Sequence, residues 1–272
     1  MNLAGLALVP LLLAAPTPAA PAPTSWRPLA PGIEYGVLSI PATPVAGGDG
    51  RLHVVRIDPA RARLRAHMSS EPGEHLRTAG AWCDDKRLVA AINLGMYQDD
   101  HRSNVGFARK GAHLNNPRFN EYRAYLAFGA RAAGLPPAVM IDGEEPRARE
   151  RLADYDVAVQ NLRLARAHGV GVWAQQERRW SEAAIAADRQ GRILFLFTRT
   201  PLTMWELNNL LARSSLGIDK AMHVEGGPEA SLSIRAPGLK LDLNGSYETG
   251  FREDDGETKQ WSIPNVIGVA AE

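Results

Sequence analysis

Short apolar runs, each closed by Gly, Pro, Asn or Asp, recur along most of this chain. Runs of this length with such boundaries are typical of β-strands. Asp188-Arg-Gln-Gly191, which separates two of the runs, has the composition of a hairpin turn. The predicted strands cover residues 33–40, 52–57, 88–93, 125–128, 138–141, 157–164, 183–187, 193–197, 221–224, 231–234 and 266–269.

The segment 203–211 follows a helical pattern instead. Thr203 is a residue type that caps helices, and Glu206 follows it at the capping-box spacing. The residues that share one helical face are Met204, Leu207, Leu210 and Leu211. We expect this helix to end at Gly217, and a less regular helical pattern covers residues 145–152. Many short strands with few flanking helices indicate a single α+β domain built on mixed or antiparallel β-sheets.

The N-terminus begins with an uncharged apolar run over residues 3–15, followed by Pro- and Ala-rich sequence. The run is too short to span a bilayer, so it predicts a signal peptide over residues 1–22. A Pro-rich linker over residues 23–32 and one domain over residues 33–272 would follow. We therefore expect export to the periplasm or the extracellular space. No later apolar run is long enough for a membrane helix, so we expect no span in the mature chain.

Charge and cysteine content exclude several classes of protein. The 31 basic and 30 acidic side chains nearly cancel, and no basic tract alternates with aromatic residues, so we expect no nucleic-acid partner. Cys83 is the one cysteine, which excludes an internal disulfide and a Cys-rich zinc site and predicts a buried small apolar residue. Serine-hydrolase, zinc-helix, phosphate-loop and dinucleotide motifs are absent from the sequence.

Two carboxylates flank a Gly-Gly-Pro turn in His223-Val-Glu-Gly-Gly-Pro-Glu-Ala-Ser-Leu232. Glu225 and Glu229 would lie at adjoining strand ends, close enough to share one pocket. Paired carboxyl groups are what acid/base cleavage of a sugar linkage requires. His223, two residues before Glu225, should face the same side of the strand. The alternative is a surface hairpin with two solvated glutamates.

A second polar segment follows the strand predicted over residues 88–93. It carries Asn93, Tyr97, Asp99 and Asp100, residue types that suit a site at a strand end. An Asx-type turn is one alternative, and a divalent cation held by the aspartates is another. Other candidates lie at the ends of further predicted strands or in a Gly-flanked loop. Glu182 is a catalytic candidate, and the further substrate-binding candidates are Asn161, Arg163, Arg199, His223 and Glu248.

The order of these segments resembles that of the phosphodiester glycosidase domain family. Asn93-Leu-Gly-Met-Tyr97 stands where the family has an Asn-Gly-Gly-Phe-Phe-like segment after a buried strand. The hairpin Ala184-Ile-Ala-Ala-Asp-Arg-Gln-Gly-Arg192 and the helical segment 203–217 follow in the family's order. Val224-Glu-Gly-Gly-Pro-Glu-Ala-Ser-Leu232 then stands where the family has Asp-Gly-Gly-Gly-Ser. The resemblance covers residues 33–269 and implies hydrolysis of a sugar-1-phosphodiester or a related linkage.

The chain also departs from the family's pattern. Glu225 replaces an Asp, Pro228 and Glu229 replace a Gly and a Ser, and Glu182 lies where an Arg is expected. A guanidinium is the natural bidentate partner of a phosphate, and added carboxylates disfavour an anionic substrate. The resemblance therefore implies the family's fold, but it does not imply the family's exact substrate.

Our leading hypothesis is an exported glycosidase-like hydrolase that acts on envelope or extracellular glycans. Glu225 and Glu229 would be the acid and the base or nucleophile, with Glu182 as a third catalytic candidate. The expected partner is a glycan or sugar phosphate, and no cofactor is expected. A non-catalytic glycan-binding protein with the same pocket is one alternative. A phosphodiesterase with a divalent cation on Asp99, Asp100 and Glu225 is another.

Overall fold

The computed structural model describes residues 21–23, 25–40, 43 and 47–271. The strands are β1 (Arg27–Ala30), β2 (Ile33–Ser39), β3 (Arg51–Ile57), β4 (Ala62–Met68), β5 (Ala90–Asn93), β6 (Ala108–Lys110), β7 (His113–Asn116), β8 (Ala124–Ala130), β9 (Ala138–Asp142), β10 (Tyr155–Arg166), β11 (Val170–Gly171), β12 (Trp180–Asp188), β13 (Ile193–Leu202), β14 (Ile218–Gly226), β15 (Ser231–Ala236), β16 (Leu239–Asn244) and β17 (Asn265–Ala271). The helices are α1 (Ala79–Lys86) and α2 (Met204–Arg213).

The strands form two sheets, and every strand pairing in the described part of the chain is antiparallel. The larger sheet has the order β1-β2-β3-β13-β12-β14-β10-β6-β7, with β8 and β11 paired to β10 and β9 paired to β8. The smaller sheet has the order β16-β15-β5-β17-β4. These sheets and their few helices confirm the predicted α+β fold in its antiparallel form.

The continuous apolar run of β13 is explained by burial of both faces of the larger sheet. Phe195 and Phe197 point into the core between the two sheets. Leu194 and Leu196 point to the opposite face, where Leu207 of α2 covers them. Alternation of side chains along a strand therefore supplies two cores from one segment. The predicted hairpin is also present, because Asp188 accepts hydrogen bonds from the backbone of Gln190 and Arg192 at the turn between β12 and β13.

Helix α2 begins as the sequence predicts and ends earlier. Thr203 is its N-cap, and a complete capping box joins Thr203 and Glu206. The expected end at Gly217 is wrong: the helix ends at Arg213 because Ser214 takes an extended conformation. The helical pattern over residues 145–152 is also wrong. Arg147 has a φ of 57°, which interrupts a helix, and only a 3-10 turn forms over Glu150–Asp154.

Helix α1 was not predicted, because its sequence AGAWCDDK has no clear apolar stripe. Thr78 caps it through a 3.1 Å hydrogen bond from the Ala81 N–H. Trp82 and Cys83 pack on the outer face of the smaller sheet, so the predicted burial of Cys83 is confirmed. None of the helices in the described ranges is long and apolar enough to cross a membrane.

Strands β1, β4, β6, β7, β11 and β16 were also missed. β1 lies inside the segment 23–32 predicted as a linker and pairs with β2 while burying Leu29. The strands β4 and β16 alternate apolar and charged residues, a pattern of half-exposed strands at a sheet edge. Most of the predicted signal peptide, residues 1–20, lies outside the described residues. The next residue, Pro21, accepts a 2.8 Å hydrogen bond from the Ser215 N–H.

Candidate active site

The Gly-Gly-Pro segment carries the chain from one sheet to the other. Strand β14 belongs to the larger sheet and β15 to the smaller, and a 3-10 turn over Gly227–Glu229 joins them. The alternative of a surface hairpin is therefore wrong. Gly227 has a φ of 63°, and a Cβ there would come within 2.5 Å of Glu248 Oε2, so glycine is favoured at this position. The crossover brings the chain close against the loop that carries Glu248.

A cleft of about 560 Å³ opens beside this crossover. Its walls come from the end of β14, the loop that follows β5, the start of β12 and the loop that follows β16. The acidic residues that line it are Asp99, Glu225, Glu229 and Glu248. The aromatic residues are Tyr97, Tyr122, Trp173 and Trp180, and the basic ones are His101, Arg178 and His223. Six sequence-predicted site residues thus meet in one cleft: Tyr97, Asp99, His223, Glu225, Glu229 and Glu248.

A larger groove of about 710 Å³ lies between β4 and β8, away from these carboxyl groups. Leu64, Phe128 and Lys110 are among its lining residues, and Asp156 is the one carboxylate there within the described ranges. Acid/base chemistry on a glycan requires two carboxyl groups near each other. We therefore place the candidate active site at the smaller cleft.

The three glutamates of the cleft have raised pKa values. Burial is the main cause for Glu225, which is 8% exposed, and the nearby Glu229 carboxylate adds to it, so its pKa lies well above the usual range. Burial also raises the pKa of Glu229 to about 7, with a contribution from Glu248. Burial raises the pKa of Glu248, against the opposing charges of Arg178 and His223. Carboxyl groups of graded acidity in one cleft are suited to proton transfer near neutral pH.

Glu182 lies behind the cleft wall and contacts His223. Its Oε1 lies 2.6 Å from His223 Nδ1, and its Oε2 accepts a 2.6 Å hydrogen bond from Trp180 Nε1. Burial raises the pKa of the Glu182 carboxyl, while the His223 ring and the Trp180 N–H oppose that rise. Trp180 also packs edge-on against the His223 ring, with centroids 6.1 Å apart. Glu182 therefore reaches the cleft through His223.

Asn93 and Asn161 hold the backbone around the cleft. Asn93 Nδ2 donates to the Glu229 carbonyl at 3.0 Å, and its Oδ1 accepts from the Ser231 N–H at 2.8 Å. Asn161 Nδ2 donates to the Leu94 carbonyl at 2.8 Å. Both side chains are buried, at the end of β5 and in β10. They fix the two loops that carry Glu229 and Tyr97.

Arg163 and Arg199, predicted to bind substrate, do not line the cleft. Arg163 pairs with Asp142, with Nη1 2.6 Å from Oδ1. Arg199 pairs with Asp255 at 2.7 Å and donates to one backbone carbonyl at the end of β16 and two in the loop that follows it. Both guanidinium groups are thus held by the protein itself.

The two aspartates of the loop after β5 have different surroundings. Asp99 lines the cleft. Asp100 accepts hydrogen bonds from the backbone of Arg102 and Ser103 and from the Ser103 hydroxyl, which is an Asx-type turn. Over the described ranges, no group of three or more His, Cys, Asp or Glu residues is arranged to hold a metal ion.

Sequence reasoning missed Tyr122, Trp173 and Arg178. They lie in segments without strand periodicity, and no local motif marks them. Only the tertiary fold brings these segments to the cleft, which adds aromatic surface and a guanidinium to the glutamates.

The cleft beside the crossover between the two antiparallel sheets carries several carboxyl groups with raised pKa values, which are suited to acid/base chemistry. The family model described as phosphodiester glycosidase matches residues 86–270. The chain therefore belongs to the phosphodiester glycosidase family, as the order of its motifs predicts. No curated protein matches the sequence.

Two solved structures share the fold. One is the zebrafish N-acetylglucosamine-1-phosphodiester alpha-N-acetylglucosaminidase catalytic domain, auto-inhibited by its pro-peptide. It is 13% identical, with a TM-score of 0.63 over 93% of this chain and 87% of that one. The other is a hypothetical protein from Synechocystis, 15% identical, with a TM-score of 0.60 over 89% of this chain and 62% of that one. At these identities the likeness concerns the fold alone.

Proposed function

We propose that this protein is an exported glycosidase-like hydrolase that cleaves a sugar-1-phosphodiester or a related glycosidic linkage in envelope or extracellular glycans. The observation that carries the proposal is the pair Glu225 and Glu229, a buried and a half-buried carboxyl group at one crossover, both with raised pKa values. Membership of the phosphodiester glycosidase family supports the reaction class.

The two carboxyl groups take the roles of general acid and of base or nucleophile according to their pKa values. Burial and the neighbouring Glu229 carboxylate raise the pKa of Glu225 and so favour its protonated form, which suits the general acid that protonates the leaving-group oxygen. Glu229, with a pKa of about 7, is partly ionised there and serves as the base or nucleophile at the anomeric carbon. Tyr97, Tyr122, Trp173 and Trp180 offer apolar ring faces against which a sugar can pack.

The cleft's charge favours a substrate of low negative charge. Arg178 is the one Arg or Lys side chain among the described residues that line it, and it faces Glu248. Glu182, at the position where the family has an arginine, is held by His223 and Trp180. We therefore place the uncharged glycosidic linkage before the phosphodiester as the bond that is cleaved.

The test is a panel of chromogenic α- and β-glycosides and sugar-1-phosphodiesters, assayed with the wild type and with Glu225→Gln. We expect turnover of at least one member and a loss of about 10²- to 10⁴-fold in kcat for the variant. Glu121→Gln, an exposed glutamate outside the cleft, is the matched control and should keep full activity. A loss of less than tenfold for Glu225→Gln would contradict the acid role. Saturable glycan binding without turnover would favour the glycan-binding alternative.

The proposed export rests on the apolar run over residues 3–15. We expect the full-length chain, expressed in a bacterial host, to be recovered outside the cytoplasm with a shortened N-terminus. Mass spectrometry of the purified protein gives that N-terminus. A full-length chain confined to the cytoplasm would contradict export and leave the reaction untouched.

A further inference from the structure

The buried carboxylate of Glu182 has both of its oxygens occupied. Oε1 lies 2.6 Å from His223 Nδ1, and Oε2 accepts from Trp180 Nε1 at 2.6 Å. Both partners come from the same sheet, because β12 and β14 are paired neighbours. Glu182 is 3% exposed and His223 is 4% exposed, so the contact is shielded from solvent. An indole N–H can only donate, which fixes Oε2 as an acceptor.

This contact determines which nitrogen of the imidazole faces the cleft. The Trp180 N–H and the His223 ring favour the ionised form of Glu182. An ionised carboxylate on Nδ1 holds the ring hydrogen there, so the neutral imidazole has its lone pair on Nε2. His223 lines the cleft on the same strand as Glu225. In the described part of the chain, no hydrogen bond joins His223 Nε2 to another protein group.

We infer that Glu182 is a positioning residue that holds the His223 imidazole with Nε2 turned to the cleft, as the hydrogen-bond acceptor for a hydroxyl group of the bound sugar. The hydrogen bond to a sugar hydroxyl depends on the proposed function, whereas the orientation of the imidazole ring does not. A hydroxyl close to the scissile bond becomes a stronger donor as positive charge develops on the sugar, so this hydrogen bond strengthens in the transition state. Through its contact with His223, Glu182 thus has a role in substrate binding without touching the substrate.

Glu182→Gln provides an unusually sharp test because Trp180 dictates how the amide must turn. The glutamine presents its carbonyl oxygen to Trp180 Nε1–H and therefore its NH2 group to His223 Nδ1. The imidazole hydrogen must then move to Nε2, which converts the acceptor in the cleft into a donor. The glutamine has the size and shape of the glutamate, while the direction of the hydrogen bond to His223 Nδ1 reverses.

The first measurement is the tautomer of His223, read at pH 8 from ¹⁵N-histidine spectra of the full chain. We expect hydrogen on Nδ1 in the wild type and on Nε2 in Glu182→Gln. Hydrogen on Nε2 in the wild type would overturn the inference, and this spectrum decides it even if the variant does not fold. Asp49→Asn is the matched control, because Asp49 contacts His53 at 3.3 Å away from the cleft. It should leave the His223 signals unchanged.

The second measurement is kinetic and uses the substrate that the glycoside panel identifies. We expect Glu182→Gln to lower kcat by about 10- to 100-fold, because a donor then faces the donor hydroxyl. For the monodeoxy analogue that lacks this hydroxyl, the effect of Glu182→Gln should vanish, since the two changes act on one contact. An equal loss on every deoxy analogue would overturn the hydroxyl assignment. If no glycoside is cleaved, the proposed function fails while the tautomer result stands.

Discussion

Glu225 illustrates how a single position in this chain combines burial with charge repulsion. Among the described residues, its carboxyl group accepts one hydrogen bond, from the Gly226 N–H at 3.1 Å, which is too little to offset its removal from water. The charges of Glu229, Glu248 and Glu182 act in the same direction and raise its pKa further. Groups that are costly to ionise in this way are typical of catalytic sites.

The pH dependence of activity follows from this pair of glutamates. Below about pH 7 Glu229 becomes protonated and kcat/KM should fall, and at higher pH Glu225 loses its proton and kcat/KM should fall again. Glu248→Gln removes a charge that raises the pKa of Glu229, so the acidic limb should move to lower pH. A pH–rate profile of both proteins measures this. An acidic limb at the same pH in the variant would contradict the role of Glu248, and Glu121→Gln should reproduce the wild-type profile.

Glu229 also links the candidate active site to the stability of the folded protein. The pKa of Glu229 is about 7 in the folded protein against an ordinary value of 4.5, so the folded state favours the protonated form. The free energy of unfolding should therefore fall as pH rises from about 4.5 through 7. We expect Glu229→Gln to be ~1–3 kcal/mol more stable than the wild type at pH 8.5, with no difference near pH 4. Urea unfolding at the two pH values measures it. If the variant and the wild type are equally stable at pH 8.5, ionisation of Glu229 does not destabilise the folded protein.

At the scale of elements, the crossover between the sheets is held by the end of a neighbouring strand. β5 lies between β15 and β17 in the smaller sheet, and Asn93 at its end bonds both sides of the turn through Glu229 and Ser231. A central strand buried on both faces is rigid, and its amide transfers that rigidity to the crossover.

Replacing this amide tests the arrangement. Asn93→Asp keeps an acceptor for the Ser231 N–H and loses the donor to the Glu229 carbonyl, which then keeps only the 3.2 Å hydrogen bond from the Ser231 hydroxyl. The substitution also places a carboxyl group at a buried position. We expect a loss of about 1–3 kcal/mol in stability by thermal denaturation and a lower kcat. Thr78→Ala removes the N-cap of α1 and should cost about 1 kcal/mol with no change in kcat. A wild-type kcat in Asn93→Asp would mean that the crossover needs no such support.

At the scale of the whole molecule, the two sheets share one apolar core. Phe195 of the larger sheet and Ile267 of the smaller lie in the same buried cluster, and both are fully buried. Helix α2 covers the other face of the larger sheet, and α1 that of the smaller. Neither sheet can unfold without exposing the apolar core that it shares with the other sheet.

We therefore expect the domain to unfold as one cooperative unit. Phe195→Ala and Ile267→Ala, one in each sheet, should each lower the free energy of unfolding by about 2–5 kcal/mol. Far-UV circular dichroism and tryptophan fluorescence should give coincident transitions in both variants. Two separate transitions, with only one of them moved by each variant, would show that the sheets fold independently.

Several elements could be predicted from the sequence because their signals are local. The helix α2 carries its own capping box, and the turn between β12 and β13 carries its own Asp and Gly. The helix α1 and the edge strands β4 and β16 carry weak or charged patterns, so tertiary packing decides them. Glu225 and Glu229 could be chosen from sequence because two carboxylates flank one turn.

By itself, the sequence predicted the family from the order of its motifs. It also predicted most of the strands and the turn beside the cleft, since these depend on residues near one another in the chain. The tertiary structure alone decided that the turn joins two sheets rather than two strands of a hairpin. It also decided that Glu182 holds His223, and that Arg163 and Arg199 are engaged elsewhere. The reason is physical: burial, charge coupling and hydrogen-bond partners depend on which distant segments meet, and strand periodicity does not contain that information.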